Sequence, residues 1–378
     1  MTMHTRKSKT KKQIQSIYTT NSIDINTNES NRSFHNDLNR FFDHIQAKKQ
    51  DLSNRTLIIV PGYSVSNPPR IGDHRFYIDA LKHHPDLNPN GYRRIYVFDL
   101  YSRKDGRCNF KHSIPQLANE LYQSINTDRD NWQFSFNGAI DFIGASMGGL
   151  IVRKFIQDYL SESNKIQTNE WGKLQIRNVI LIATPNHGCQ IVDKLQMPLV
   201  QFILRLLYGK NNFSQSEQFK QIAKGKVNLN WKPLNNLFNK TTEENTFLAD
   251  LNSKYSLPNS IRWITISGSK RRWYSSLIYN KKDENDGVVL ASSVALRGAE
   301  NITDKNLEMK LTWNHRDLYQ AESVCKLLHG LLILNLKLDD YLTMNQLLET
   351  QNLLSYNQKG IKHFFNMIVL NPQHYLEH

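Results

Sequence analysis

The stretch DFIGASMGGLIVRKF, residues 141–155, places Ser146 between Gly144 and Gly148, after an apolar run and before a helix-like one. Gly144-Ala145-Ser146-Met147-Gly148 fits the pattern G-x-S-x-G. The pattern has a steric origin. A nucleophile lifted off the end of a parallel strand needs a sharp reversal into a helix, and the positions two residues to either side must lack bulk. The flanks supply both elements: AIDFIG reads as a strand, while Leu150, Ile151, Val152, Phe155, Ile156 and Tyr159 form a broad apolar helix face. A third glycine follows at Gly149. The helix would point its N-terminus at the serine, so the backbone N–H of Met147 and the positive dipole end both suit a developing oxyanion. A tight turn carrying an incidental serine has the same local sequence. The partners of Ser146 decide between the two.

Apolar runs recur on both sides of this turn. RTLIIVPGY (residues 55–63) and RRIYVFDLYS (93–102) read as strands before it, with a helical segment near residues 114–125. RNVILIATPNHG (177–188), IRWITISG (261–268) and a shorter LEMKLTW (307–313) read as strands after it. These runs are continuously apolar and helical stretches separate several of them. That combination predicts an α/β chain whose mostly parallel sheet is buried by helices on both faces.

Residues 1–33 are polar, without an apolar period, and read as disordered. Phe34, Leu38, Phe41 and Ile45 then recur at helical spacing and predict a short amphipathic helix. The expected organisation is a basic polar extension over residues 1–50, a catalytic domain over 51–340 and a helical tail over 341–378. Within the domain, residues 189–247 interrupt the sheet pattern. IVDKLQMPLVQFILRLLYGKNN (191–212) is strongly apolar and broken by Pro198. It reads as a lid whose Leu199, Phe202, Ile203, Leu206 and Leu207 cover a cleft, with a core helix and surface loop as the alternative.

Composition limits the function classes. The chain has 378 residues, 39% hydrophobic and 22% charged, the balance of a globular protein. It contains no run of eighteen apolar residues, so no spanning helix is expected. The N-terminus is basic with no apolar segment behind it, so it is not expected to be a secretory signal. Its Thr- and Ser-rich, acid-free run up to Asp24 gives it a faint organelle-transit character. Three distant cysteines (Cys108, Cys189, Cys325) suit a reducing compartment, and a cytoplasmic, membrane-peripheral location is expected. The formal charge of +14 points to anionic partners, a membrane surface or nucleic acid. Five of those cations lie within residues 6–12, and no helix-turn-helix, finger or stacking motif accompanies them, so nucleic acid is not expected.

A serine on such an elbow is followed in chain order by an acid and then a histidine. Six histidines follow Ser146: His187, His315, His329, His363, His374 and His378. His329 lies in an apolar helical stretch and reads as a satisfied core residue, and the last three sit in the tail. His187 has no acidic loop between itself and the serine. His315 follows the strand-like LEMKLTW and opens a loop, where a general base should hang. For the acid, ENDGVVLASS offers Asp286 on a tight turn before Gly287, with Asp283 and Glu284 as rivals. A carboxylate there would fix the imidazole tautomer and stabilise the imidazolium. A second oxyanion donor is expected after the strand TLIIV, at the N–H of Tyr63, with Gly62 allowing close approach.

Taken together, VPGY, IGASMGGL, ATPNHG, NDGVVLASS and WNHRD resemble the α/β-hydrolase superfamily, within it the bacterial triacylglycerol lipases and their esterase relatives. The resemblance spans residues 55–319. It implies an α/β-hydrolase fold with a helical cap, Ser146 as nucleophile, Asp286 as acid and His315 as base. The implied activity is hydrolysis of carboxylic esters of lipid type, without a cofactor. The implied alternatives are a phospholipase or lipid-anchor deacylase at a membrane surface, or a catalytically silent module of the same fold. Two positions depart from the lipase pattern: Ala145 stands where those enzymes have His, and Pro61-Gly62 where they have His-Gly. Calcium-dependent relatives carry a carboxylate two residues after the catalytic histidine, which Asp317 matches. Their second carboxylate has no counterpart in RWITISGSKRRWY, so no metal is expected.

Overall fold

A computed structural model describes residues 36–37, 40–41, 43–62, 91–98, 113–127, 139–163, 175–189, 246–253, 257–307 and 312–350. Six strands make one sheet: β1 (Thr56–Val60), β2 (Arg94–Val97), β3 (Ala139–Ala145), β4 (Gln175–Ile182), β5 (Arg262–Ser267) and β6 (Glu300–Thr303). Their spatial order is β2-β1-β3-β4-β5-β6, and every neighbouring pair is parallel. The helices are α1 (Ile114–Thr127), α2 (Met147–Ser163), α3 (Thr246–Ser253), α4 (Ala291–Val294), α5 (Asp317–Gln320), α6 (Glu322–Leu332) and α7 (Leu338–Thr350).

The continuous apolar runs have a simple cause: both faces of the sheet are covered. Alternate residues of each strand enter opposite cores. Ile58, Val60, Ile140, Phe142, Val179 and Leu181 pack with Leu117 and Leu121 of α1 and Leu150, Ile151 and Phe155 of α2. Leu57, Ile59, Ile143, Ile180, Ile182 and Ile264 face the other way, toward Val324, Leu327, Leu328 and Leu331 of α6. The helical stretch at residues 43–48 joins this second core through Ile45.

The sixth strand differs from the sequence expectation. It is Glu300–Thr303, whose polar four-residue pattern carries little apolar signal. The run expected in its place, residues 307–313, has its described residues Leu307, Thr312 and Trp313 outside any strand, and residues 308–311 lie outside the described set. Also outside that set are residues 1–35, most of the expected lid at 189–247, and the tail beyond Thr350. Among the described residues, no helix is long and apolar enough to cross a membrane.

The buried polar groups include Asp141 and His329. Asp141 sits mid-strand on β3 with no exposure. It accepts the Tyr92 hydroxyl at 2.6 Å and the backbone and side-chain amides of Asn178 at 2.8 Å each, and Arg55 lies 3.5 Å away. Burial raises its pKa, while these donors and the Arg55 charge oppose the rise. His329 of α6 is buried with Nδ1 unpartnered, so it is a core residue but not a fully satisfied one.

Burial, helped by the charge of Lys49, pushes the His329 imidazole down from 6.5 to about 4. The unfolded chain therefore binds this proton first as pH falls, and stability declines between 6.5 and about 4. From pH 7 to pH 5 this one group should remove about 2 kcal/mol. His329→Leu should reduce the acid-induced loss by that amount when denaturant midpoints are compared at the two pH values.

Candidate active site

Three connections leave the carboxyl ends of β3, on one side of β4, and of β5 and β6, on the other, at one edge of the parallel sheet. The loop after β3 carries Ser146, the loop after β5 carries Asp286 and the loop after β6 carries His315. Each is placed by specific local chemistry.

Ser146 is the single residue between β3 and α2, and its φ is +51°. A non-glycine residue there costs of order 1 kcal/mol or more and persists only when its surroundings impose it. The surroundings are crowded. A side chain at Gly148 would collide with the carbonyl oxygens of Val60 and Pro61, and one at Gly144 would stand 2.5 Å from Gly149 Cα. The reversal therefore tolerates no bulk at the two flanking positions of G-x-S-x-G. A hydrogen bond from Ser146 N to Ile182 O (2.8 Å) pins the turn to β4. The next residue on β4's exit, Ala183, also has positive φ (+50°), so two of the three such non-glycine residues among those described lie side by side here.

Met147 opens α2, so its N–H has no intrahelical acceptor. Gly62, after β1, lies against the serine: a Cβ added there would be 2.7 Å from Ser146 Cβ. Tyr63, the expected second oxyanion donor, lies outside the described residues.

Asp286 is 1% exposed and begins a tight turn completed by Gly287 at φ +95°. Its Oδ1 accepts the N–H groups of Val288 (2.9 Å) and Val289 (2.8 Å). Its Oδ2 is 2.7 Å from His315 Nδ1, and its backbone carbonyl accepts His315 N–H at 2.8 Å. The acid and base loops are thus joined twice. The rival carboxylates point elsewhere: Asp283 accepts the Asn280 N–H, and Glu284 pairs with Lys305 at 2.6 Å.

The base loop is held by Asn314, whose Oδ1 accepts the N–H groups of Arg316 (2.9 Å) and Asp317 (3.1 Å). Asp317 stands in the first turn of α5 and accepts from Asn314 Nδ2 at 2.6 Å, with Lys270 Nζ at 3.4 Å. With the Asp286 carboxylate as acceptor, Nδ1 of His315 carries the proton and Nε2 offers its lone pair. That lone pair is occupied. Tyr319, one turn along, places its hydroxyl 3.1 Å from Nε2, with the two rings edge-to-face at 5.2 Å. Among the described residues no hydrogen bond joins Ser146 Oγ to His315. Tyr319 had no signal in the sequence beyond its spacing of four residues from the histidine.

His187 takes no part in this pair. Its Nε2 meets Ala295 O at 3.1 Å and its Nδ1 meets Asn252 at 3.3 Å. Burial and the nearby Arg153 charge lower its pKa. Arg153 of α2 is itself buried, its pKa brought down to about 9 by desolvation. It donates to Asn186 Oδ1 (3.1 Å), Asn252 Oδ1 (2.9 Å) and Leu251 O (3.1 Å), tying α3 to the loop after β4. Arg153 has no signal in the sequence beyond its place in the helical stretch after Ser146.

No family model matches the chain, and no curated protein matches it. Solved structures do. The mature lipase BlEst2 of Bacillus licheniformis is 15% identical, covering 75% of this chain and 94% of its own, with a TM-score of 0.43. The phospholipase PlaB of Legionella pneumophila is 17% identical over 64% of this chain and 44% of its own, at 0.40. A metagenomic carboxyl esterase, MGS0156, is 16% identical over 68% and 63%, at 0.38. The architecture is defined by the chain's own geometry: an all-parallel sheet in the order β2-β1-β3-β4-β5-β6, with a strained strand-to-helix turn at the end of β3. This is the α/β-hydrolase fold.

Proposed function

We propose that the protein is a serine hydrolase of carboxylic esters, with lipid acyl esters as its substrate class. The observation that supports it most is the strained Ser146 at the head of α2, at the same sheet edge as the bonded Asp286–His315 pair. Ser146 Oγ attacks the ester carbonyl as His315 Nε2 takes its proton. The oxyanion faces the N–H of Met147 and the positive end of α2, and the second donor is the one expected from the sequence, the N–H of Tyr63. Collapse breaks the carbonyl–oxygen bond of the ester, and the alcohol leaves with the proton from Nε2. Water, deprotonated by the same nitrogen, then attacks the acyl-enzyme and regenerates Ser146. Asp286 holds the imidazole in the tautomer this sequence of steps needs. Hydrolysis of an acyl-ester chain-length series tests the reading, and turnover of none of the series would overturn it.

Tyr319 gives the proposal an unusual kinetic signature. Its hydroxyl occupies the lone pair that must receive the serine proton, so each acylation must first displace it. A net hydrogen bond is worth about 1 kcal/mol, roughly fivefold in rate. Tyr319→Phe keeps the ring against His315 and removes the competitor. It should therefore speed acylation by a soluble short-chain ester about fivefold, with the melting temperature unchanged. A slower variant would instead make the hydroxyl a required donor.

A further inference from the structure

We infer that the segment of residues 270–283 is a docking surface for an anionic phospholipid bilayer, set beside the site. The inference deepens the proposed function by naming the surface on which a lipid ester would be met. Trp273 is 64% exposed, the single large apolar side chain so displayed among the described residues. It opens a 3-10 helix, Trp273–Leu277, and its ring meets Tyr274 edge-on at 5.8 Å.

The same fourteen residues hold Lys270, Arg271, Arg272, Lys281 and Lys282 against one carboxylate, Asp283. Arg271 folds the segment on itself by donating to the carbonyls of Asn280 (3.0 Å) and Asp283. That closure brings the turn bearing Lys281 and Lys282, both exposed, back to the start of the Trp273 helix.

The patch adjoins the acid and base. The Arg272 side chain lies over Gly287, where a Cβ would come within 2.6 Å of its Cγ, and its guanidinium donates to Asn314 Oδ1 at 3.3 Å. A tryptophan suits the headgroup level, where one end of its ring is apolar and the indole N–H stays wet. Clustered lysines and arginines are drawn to an anionic leaflet, each adding to binding. A bilayer seated here meets the edge of the sheet that carries Ser146, Asp286 and His315. A polynucleotide would gain nothing from that placement.

The test uses the full chain with Ser146→Ala, so that vesicles are not consumed, and co-sedimentation with phosphatidylcholine vesicles with and without phosphatidylglycerol. Binding should require the anionic lipid and weaken with salt. Lys281→Gln/Lys282→Gln and, separately, Trp273→Ser should each lower partitioning roughly tenfold or more. The basic N-terminus is the same in every arm and does not confound the comparison. The same substitutions in the active chain should leave hydrolysis of a soluble short-chain ester unchanged. Partitioning unchanged in both variants would overturn the inference, as would tighter binding to an RNA homopolymer than to vesicles. If the active chain hydrolyses no ester, the proposed function falls while the vesicle result stands on its own.

Discussion

Ser146→Ala is expected to lower ester hydrolysis by about 10⁶, the scale seen when a serine hydrolase loses its nucleophile. The same change should scarcely alter the melting temperature. Ser146 Oγ makes no hydrogen bond among the described residues, so its removal leaves no buried partner orphaned. Alanine has a Cβ like serine and meets the same penalty at φ +51°, so the strain of the turn is unchanged. Activity and stability are thus predicted to separate cleanly. A variant that keeps most of its activity would remove Ser146 from the chemistry. One that unfolds would show that the hydroxyl matters to the turn itself.

Loss of the base should cost nearly as much. His315→Ala removes the group proposed to take the serine proton, and the expected fall is again near 10⁶. Asp286→Asn should cost less, about 10⁴, because an imidazole without its orienter still accepts protons in part of its population. The asparagine retains one oxygen for the N–H groups of Val288 and Val289 but turns a donor toward Nδ1, favouring the wrong tautomer. Asp283→Asn and Glu284→Gln serve as controls. Glu284 is exposed and paired with Lys305, and Asp283 caps a neighbouring turn, so each should keep nearly full kcat/KM. A fall in either control larger than that of Asp286→Asn would move the acid to that position.

How much of this was legible in the sequence depends on how local each feature is. Five of the strands announced themselves because a strand covered on both faces must be apolar at nearly every position. β6 did not, since Glu-Asn-Ile-Thr buries one of its four residues and owes its place to pairing with β5. The turn at Ser146 was legible because its steric demand falls on Gly144 and Gly148, two positions away.

Contacts between distant loops were not. Nothing near Asp141 indicates that Tyr92 and Asn178 will satisfy its carboxylate inside an apolar strand. Asp286 could be preferred over Asp283 and Glu284 on turn chemistry, but only the folded loops show which carboxylate reaches His315. The role of Tyr319 is hidden in the sequence for a related reason. A tyrosine four residues after a histidine is ordinary helix sequence until the rings are seen to meet.

The central claim, an activated nucleophile at Ser146, is tested most directly by treating the native chain with a fluorophosphonate and locating the adduct by peptide mass spectrometry. The account predicts one phosphonyl group per chain, on the peptide containing Ser146. Labelling should vanish in Ser146→Ala and slow by orders of magnitude in His315→Ala. A chain that takes up no probe, or carries it on another residue while Ser146 stays free, would contradict the account.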